Sequence, residues 1–266
     1  MTVDDVAAPP AYNASVDGAD ELVRLHLSES AYGASPAATA AAGSALERIS
    51  VYPDPGRVRV AEALAAHYRL PAEQIVVSNG SDELVLFSTL ALGGPELPGL
   101  VTEGTFPGYL SCLETVRRPV RAVPLRGATV DVDAVIEQLP QCGVGYLCNP
   151  HNPSGGSFTR AEMDRLVAAA ARTGVPLVFD EAYMEFAEPD TPQARDYLDG
   201  TAPVIALRTF SKAYGLAALR IGYAIGAAGP IRQIRAVQGV LPFSANRSAQ
   251  AAAAAAVADQ EFVRRV

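Results

Sequence analysis

Lys212 stands in Thr209-Phe210-Ser211-Lys212, followed by Ala213-Tyr214-Gly215-Leu216. Read as a strand end running into an apolar helix, that setting takes the amine partly out of water. Desolvation disfavours the ammonium and frees the amine to condense with a carbonyl as an imine. Asp180 closes the apolar run Pro176-Leu177-Val178-Phe179. A carboxylate there is costly unless paired. One suitable partner is a protonated ring nitrogen, which an adjacent anion keeps protonated so that the ring draws electrons from a carbanion. Taken singly, each residue has a plainer reading. Most lysines are exposed, and an aspartate after a strand serves equally well as a helix cap.

Other residues suit the same ring. Asn152 lies in Asn149-Pro150-His151-Asn152-Pro153-Ser154-Gly155, and its amide can donate to a ring oxygen. Asn before Pro is also a common turn former. His151 reads as a loop residue rather than a base. Tyr183 follows Asp180 by three positions and either reaches the same oxygen or packs. Gly80-Ser81-Asp82-Glu83 opens a helix, whose free N–H groups and dipole suit a phosphate. A simple Ser cap explains it as well. Arg220 adds a bidentate cation for that phosphate, and Thr209 and Ser211 add hydroxyls. Phe106, in Gly104-Thr105-Phe106-Pro107-Gly108-Tyr109, starts the next helix and offers a face for stacking or for the core.

The elements that must position these residues alternate. Seven β-branched or apolar runs, at 75–78, 99–102, 120–125, 144–148, 175–180, 203–208 and 221–226, read as strands. Helices are expected over Arg57–Tyr68, Asp82–Leu92, Pro107–Arg117 and Ala161–Arg172, the last introduced by a capping box, Thr159-x-x-Glu162. The alternation predicts an α/β fold, a mostly parallel seven-stranded sheet flanked by helices, with ligands beyond the carboxyl ends of the strands. Every candidate stretch follows a predicted strand. Residues 1–35 carry little periodicity and read as an N-terminal arm, and the Ala-rich run 251–258 as a surface or core helix.

Composition narrows the function. Of 266 residues, 49% are hydrophobic, enough for a sizeable core, and the formal net charge is −8. That charge, with no basic stripe, argues against nucleic acid. Three cysteines without CxxC spacing argue against a zinc site and a disulfide framework. The acidic start is not a secretory signal, and no apolar stretch is long enough for a membrane span. The expected location is cytoplasmic.

Together the stretches resemble the fold-type I pyridoxal 5′-phosphate (PLP) enzymes, in particular class I/II aminotransferases of the histidinol-phosphate aminotransferase type. The carrying residues are Tyr52-Pro53-Asp54-Pro55, Ser78 to Glu83, Asn149 to Gly155, Asp180-Glu181-Ala182-Tyr183 and the run Leu207 to Tyr223. The resemblance implies that Lys212 holds PLP as a Schiff base and shuttles a proton. It implies that Asp180 pairs with the pyridinium nitrogen, and that Asn152 and Tyr183 bond the phenolic oxygen. Ser81, Asp82, Thr209, Ser211 and Arg220 would cradle the phosphate. Phe106 stands where relatives carry a stacking tyrosine. Tyr52 would reach the phosphate of a neighbouring subunit, which implies a homodimer. Substrates would be an L-amino acid or amino alcohol phosphate and a 2-oxo acid. Decarboxylases and oxidases on the same scaffold, or an inactive fragment, are the other readings. The implied division is an arm over 1–35, a PLP-binding large domain over 36–250, and over 251–266 the start of a C-terminal small domain whose remainder, with its carboxylate-binding arginine, is missing. The family's Asn-Glu-Asn-Pro stretch is here Ser28-Glu29-Ser30-Ala31.

Overall fold

In the computed structural model, which describes residues 25–266, all seven expected strands form one sheet. They are β1 (Ile75–Ser78), β2 (Gly99–Thr102), β3 (Val120–Val123), β6 (Val144–Cys148), β7 (Leu177–Asp180), β8 (Val204–Thr209) and β9 (Gly222–Gly226). Their order is β1-β9-β8-β7-β6-β2-β3. Neighbours from β3 to β8 pair in parallel, while β9 pairs antiparallel with both β8 and β1. A separate hairpin, β4 (Leu125–Arg126) with β5 (Thr129–Val130), was not expected and replaces the end of the run 120–125. Most of the arm lies outside the described residues; the part within them carries a 3-10 turn, Leu25–Leu27.

Side chains alternate across the sheet, and both faces are covered. Val77, Leu100, Leu147, Phe179 and Ala206 enter one core cluster, with Leu64, Val135, Met163 and Ala253 from the helices. Their neighbours Val76, Val101, Tyr146, Val178 and Ile205 enter the other, with Leu84, Leu113 and Ile231. This two-residue period, buried on both sides, is why the strands read as continuous apolar runs. The first layer holds α1 (Pro36–Ala45), α2 (Val58–Tyr68), α5 (Val132–Gln138), α6 (Arg160–Thr173) and α8 (Arg247–Ala258); the second holds α3 (Ser81–Ala91), α4 (Gly108–Thr115) and α7 (Ala228–Gln238). A short α9 (Gln260–Arg265) follows. The capping box of α6 forms as expected: the Glu162 amide donates to Thr159 Oγ1 at 3.3 Å, and the Thr159 amide donates back to Glu162 at 2.8 Å. The Ala-rich run is part of α8, which is continuous through position 250 and buries Ala252, Ala253 and Ala256 in the first cluster.

Two local expectations change. The stretch after Lys212 is not helical; it is a tight turn leading to a 3-10 segment, Ala217–Leu219. Gly215 is the reason, with φ of 67° in the left-handed region. A Cβ there would sit 1.9 Å from the Gly33 carbonyl oxygen, so the arm crosses this turn at backbone contact. Phe106 precedes α4 rather than starting it, because the helix begins after Pro107 at Gly108.

Candidate active site

The ends of β6, β7 and β8, the start of α3 and the segment before α4 enclose a cavity of about 940 Å³. Lys212, Asp180, Tyr183, Asn152, Ser81, Asp82, Phe106, Thr209, Ser211 and Arg220 all line it. Tyr52 does not. It is 74% exposed and stacks on Phe243, ring centroids 4.4 Å apart.

Lys212 Nζ donates to the carbonyls of Leu27 at 2.8 Å and Ser28 at 3.3 Å. It also lies 5.4 Å from the centroid of the Tyr183 ring. Burial lowers the ammonium's pKa, opposed by Asp82 and assisted by Arg220. The amine is therefore held by backbone oxygens and is easier to deprotonate than an exposed lysine.

Asp180 is 6% exposed at the end of β7. Oδ2 accepts from the Tyr109 hydroxyl at 2.6 Å, and Oδ1 from the Ala182 amide at 3.1 Å. Burial raises its pKa, against the pull of these two donors. Neither donor is a cation. A carboxylate in this position gains from a further N–H donor on the cavity side.

The anion-binding corner is built by backbone. Gly80, with φ of 83°, caps α3. The first-turn N–H groups of Ser81 and Asp82 have no acceptor within the helix. A Cβ at Gly80 would fall 2.6 Å from Arg220 Nη2, and one at Gly222 would fall 2.6 Å from the Ser81 nitrogen. The two glycines thus keep open a cradle that any side chain would fill. Arg220 stands over it, donating to Asp82 Oδ2 at 2.7 Å, to the Ala217 carbonyl at 3.1 Å and to Ser211 Oγ at 3.5 Å. The Arg220–Asp82 pair is 43% and 60% exposed. Such a pair is weak, so a doubly charged oxyanion competes for the guanidinium. The Asp82 carboxylate can only accept hydrogen bonds, so its donor to an anion is its amide.

Asn152 reaches the cavity on a loop pinned from below. Its backbone N–H donates to Cys148 Sγ at 3.3 Å, and that thiol donates to the Pro150 carbonyl at 3.1 Å. Burial pushes the Cys148 thiol up to about 12, so it stays neutral. His151 is buried away from this cavity, with Nδ1 2.8 Å from Ser154 Oγ.

The site includes groups the sequence reading passed over. Tyr109 and Cys148 flank Asp180, and the Leu27 and Ser28 carbonyls hold Lys212. No local signal in the sequence set Tyr109 apart from a core ring. The amine, the carboxylate and the cradled corner share one cavity, and this donor set fits PLP. Among the described residues no His, Cys, Asp and Glu cluster suits a metal ion, no helix is long and apolar enough to cross a membrane, and all three cysteines are free thiols.

Residues 20–265 match the family model for aminotransferase class I and II. The chain is 35% identical over 252 residues to histidinol-phosphate aminotransferase 2 of Carboxydothermus hydrogenoformans, covering 94% of this chain and 69% of that protein. It is 38% identical over 265 residues to histidinol-phosphate aminotransferase of Sphingopyxis alaskensis, covering 96% and 69%. Among solved structures, histidinol-phosphate aminotransferase of Sinorhizobium meliloti in complex with PLP superposes with a TM-score of 0.83 at 29% identity. That match covers 90% of this chain and 64% of the other, so the chain spans about two thirds of the length of its relatives. By sequence and by fold, it belongs to the class I and II aminotransferases.

Proposed function

We propose that the chain binds PLP in the cavity at the ends of β6, β7 and β8. It acts as a PLP-dependent aminotransferase on an L-amino acid or amino alcohol phosphate of the histidinol phosphate kind, with a 2-oxo acid as acceptor. The observation that carries this reading is the convergence of Lys212, Asp180 and the Gly80–Arg220 cradle on one cavity. When bound, PLP supplies an aldehyde for amine capture and a ring that withdraws electrons from the substrate carbon. Lys212 Nζ is the amine that holds the cofactor and the base that moves a proton. Asp180 holds the proton on the ring nitrogen. Asn152 and Tyr183 orient the ring oxygen, and Phe106 offers a face to the ring. The Ser81 and Asp82 amides, the Thr209 and Ser211 hydroxyls and Arg220 hold the phosphate.

Residues 36–250 are read as the cofactor domain and 251–266 as the approach to a second one. The second partner is another copy of the chain. Tyr52 stacks on Phe243, and Ile49, Val51, Val240 and Leu241 of the same two segments are exposed as well. Exposed apolar side chains grouped in this way suit an association surface. It would put Tyr52 within reach of a neighbouring cavity. Three free thiols fit a reducing cytoplasm.

The test is spectroscopic first. The chain incubated with PLP should acquire a visible absorption band that borohydride bleaches while fixing the cofactor covalently, and Lys212→Ala should not. A wild-type chain that stays colourless overturns the proposal. Amino transfer is then assayed with histidinol phosphate and 2-oxoglutarate; carbon dioxide or peroxide release without transfer would redirect the reaction class while leaving the cofactor in place.

A further inference from the structure

Among the described residues that line the cavity, Asp180 is the only buried carboxylate, and the side chain that holds it is not on its own strand. We propose that Tyr109 is a positioning residue for the reaction: its phenol aims the Asp180 carboxylate and moderates its affinity for a proton, so that Asp180 holds a ring-nitrogen proton without taking it. The inference rests on the functional reading above.

The hydroxyl sits 2.6 Å from Asp180 Oδ2. Its place is fixed by rings, not by a flexible chain. Tyr109 is fully buried on α4, stacked on Tyr146 at 5.4 Å and 9°, with Phe106 edge-on at 5.4 Å. Tyr146 is anchored in turn by the hydroxyls of Ser88 and Thr89, at 2.9 Å and 2.8 Å. Burial and the adjacent carboxylate hold the Tyr109 phenol well above its ordinary pKa, so it remains a donor across the physiological range.

The neighbours of Asp180 are few. The Ala182 amide comes from the turn after β7, and the neutral Cys148 thiol from β6. Lys212, after β8, and Asp82, on α3, act at longer range and with opposite sign. A carboxylate has about four acceptor positions, and two donors leave the others for a ligand. A cation at position 109 would saturate the charge and weaken its pull on a ring proton. No donor at all would leave a buried carboxylate with a raised proton affinity. A neutral phenol lies between these limits, since a hydrogen bond to a charged group shifts ionisation by a tenfold factor or more.

The experiment uses the full chain with and without PLP. In Tyr109→Phe, which keeps the ring stack, the Asp180 carboxyl is followed by carbon-13 NMR in the cofactor-free protein. Its pKa is expected to rise by about one unit. In the loaded protein the pH midpoint of the visible band is expected to move, and kcat to fall with little change in KM. Fluorinated tyrosines incorporated at 109 are stronger donors, so the Asp180 pKa should fall stepwise with phenol acidity. A packing role would not produce that gradient. An unchanged carboxyl titration across Tyr109→Phe and the fluorinated series, in protein that binds PLP normally, overturns this inference and spares the functional reading. If Tyr109→Phe does not fold, the fluorinated series alone decides. A wild-type chain that takes up no PLP overturns the functional reading instead.

Discussion

Asp180 and Glu181 are consecutive, both buried, and treated in opposite ways. Glu181 points to the side of the sheet where Arg208 lies, with Arg208 Nε at 2.8 Å and the Ala194 amide at 2.7 Å from its oxygens. Arg208 is itself fully engaged, donating also to Glu185 at 3.0 Å and Gln193 at 2.8 Å. Burial raises the pKa of Glu181, opposed by Arg208, whereas among the described residues Asp180 meets only neutral donors at contact distance. The side-chain alternation of a strand separates the two. One carboxylate is spent on holding loops to the sheet; its neighbour is left with capacity for a ligand. Burial alone does not mark a functional group: what distinguishes Asp180 is the missing cation.

The sharpest way to break this contrast is to remove what each side depends on. Lys212→Ala is expected to cost catalysis about 10²–10⁴-fold or more, if it removes the proposed general base together with the proposed attachment point. Its unfolding midpoint in urea should stay close to wild type. Arg208→Met should do the reverse and lower stability by about 3–5 kcal/mol, because Glu181 and Glu185 then remain buried without their cation. Denaturant unfolding measures it. A fully stable Arg208→Met would show that the pair is not the anchor it resembles.

Asp180→Asn should abolish transfer while leaving the fold intact, and its pH dependence carries the sign. The folded-state pKa of Asp180 is raised by burial. The stability linked to that proton is fully present below about pH 3.9, the ordinary aspartate value, and is lost as pH rises through the raised folded value. The variant's stability relative to wild type should therefore improve from pH 4 towards neutrality. A difference that does not change with pH would mean that Asp180 is as well compensated as Glu181. Smallest in stability is Arg220→Gln, expected within about 0–1 kcal/mol because the Asp82 pair is exposed. The same change should weaken PLP binding about tenfold or more, through loss of charge-assisted contacts to its phosphate.

Much of this arrangement was legible in the sequence. The seven apolar runs became the seven strands; in all but the edge strand β3, burial on both faces leaves an unbroken signal. The Thr159 box marked the start of α6. Candidate residues placed after strands converged because parallel strands end on one edge. What escaped had no local signature. Tyr109 resembles Tyr146 in sequence, and only the packing of α4 against β6 and β7 distinguishes a carboxylate's partner from a core ring. The Leu27 and Ser28 carbonyls carry no side-chain information at all. The turn after Lys212 was read as helix because Ala, Tyr and Leu satisfy helical periodicity, while the close crossing of the arm that demands Gly215 is a contact between segments far apart in the chain.

That crossing ties two distant stretches through a space no wider than a hydrogen atom. The two carbonyls that grip the Lys212 ammonium belong to the same arm that Gly215 admits. Substituting alanine at 215 would wedge the arm outwards at residue 33, a few residues from those carbonyls. Its first consequence would be a lysine released to water, so a methyl group well outside the cavity would set how readily the amine ionises within it.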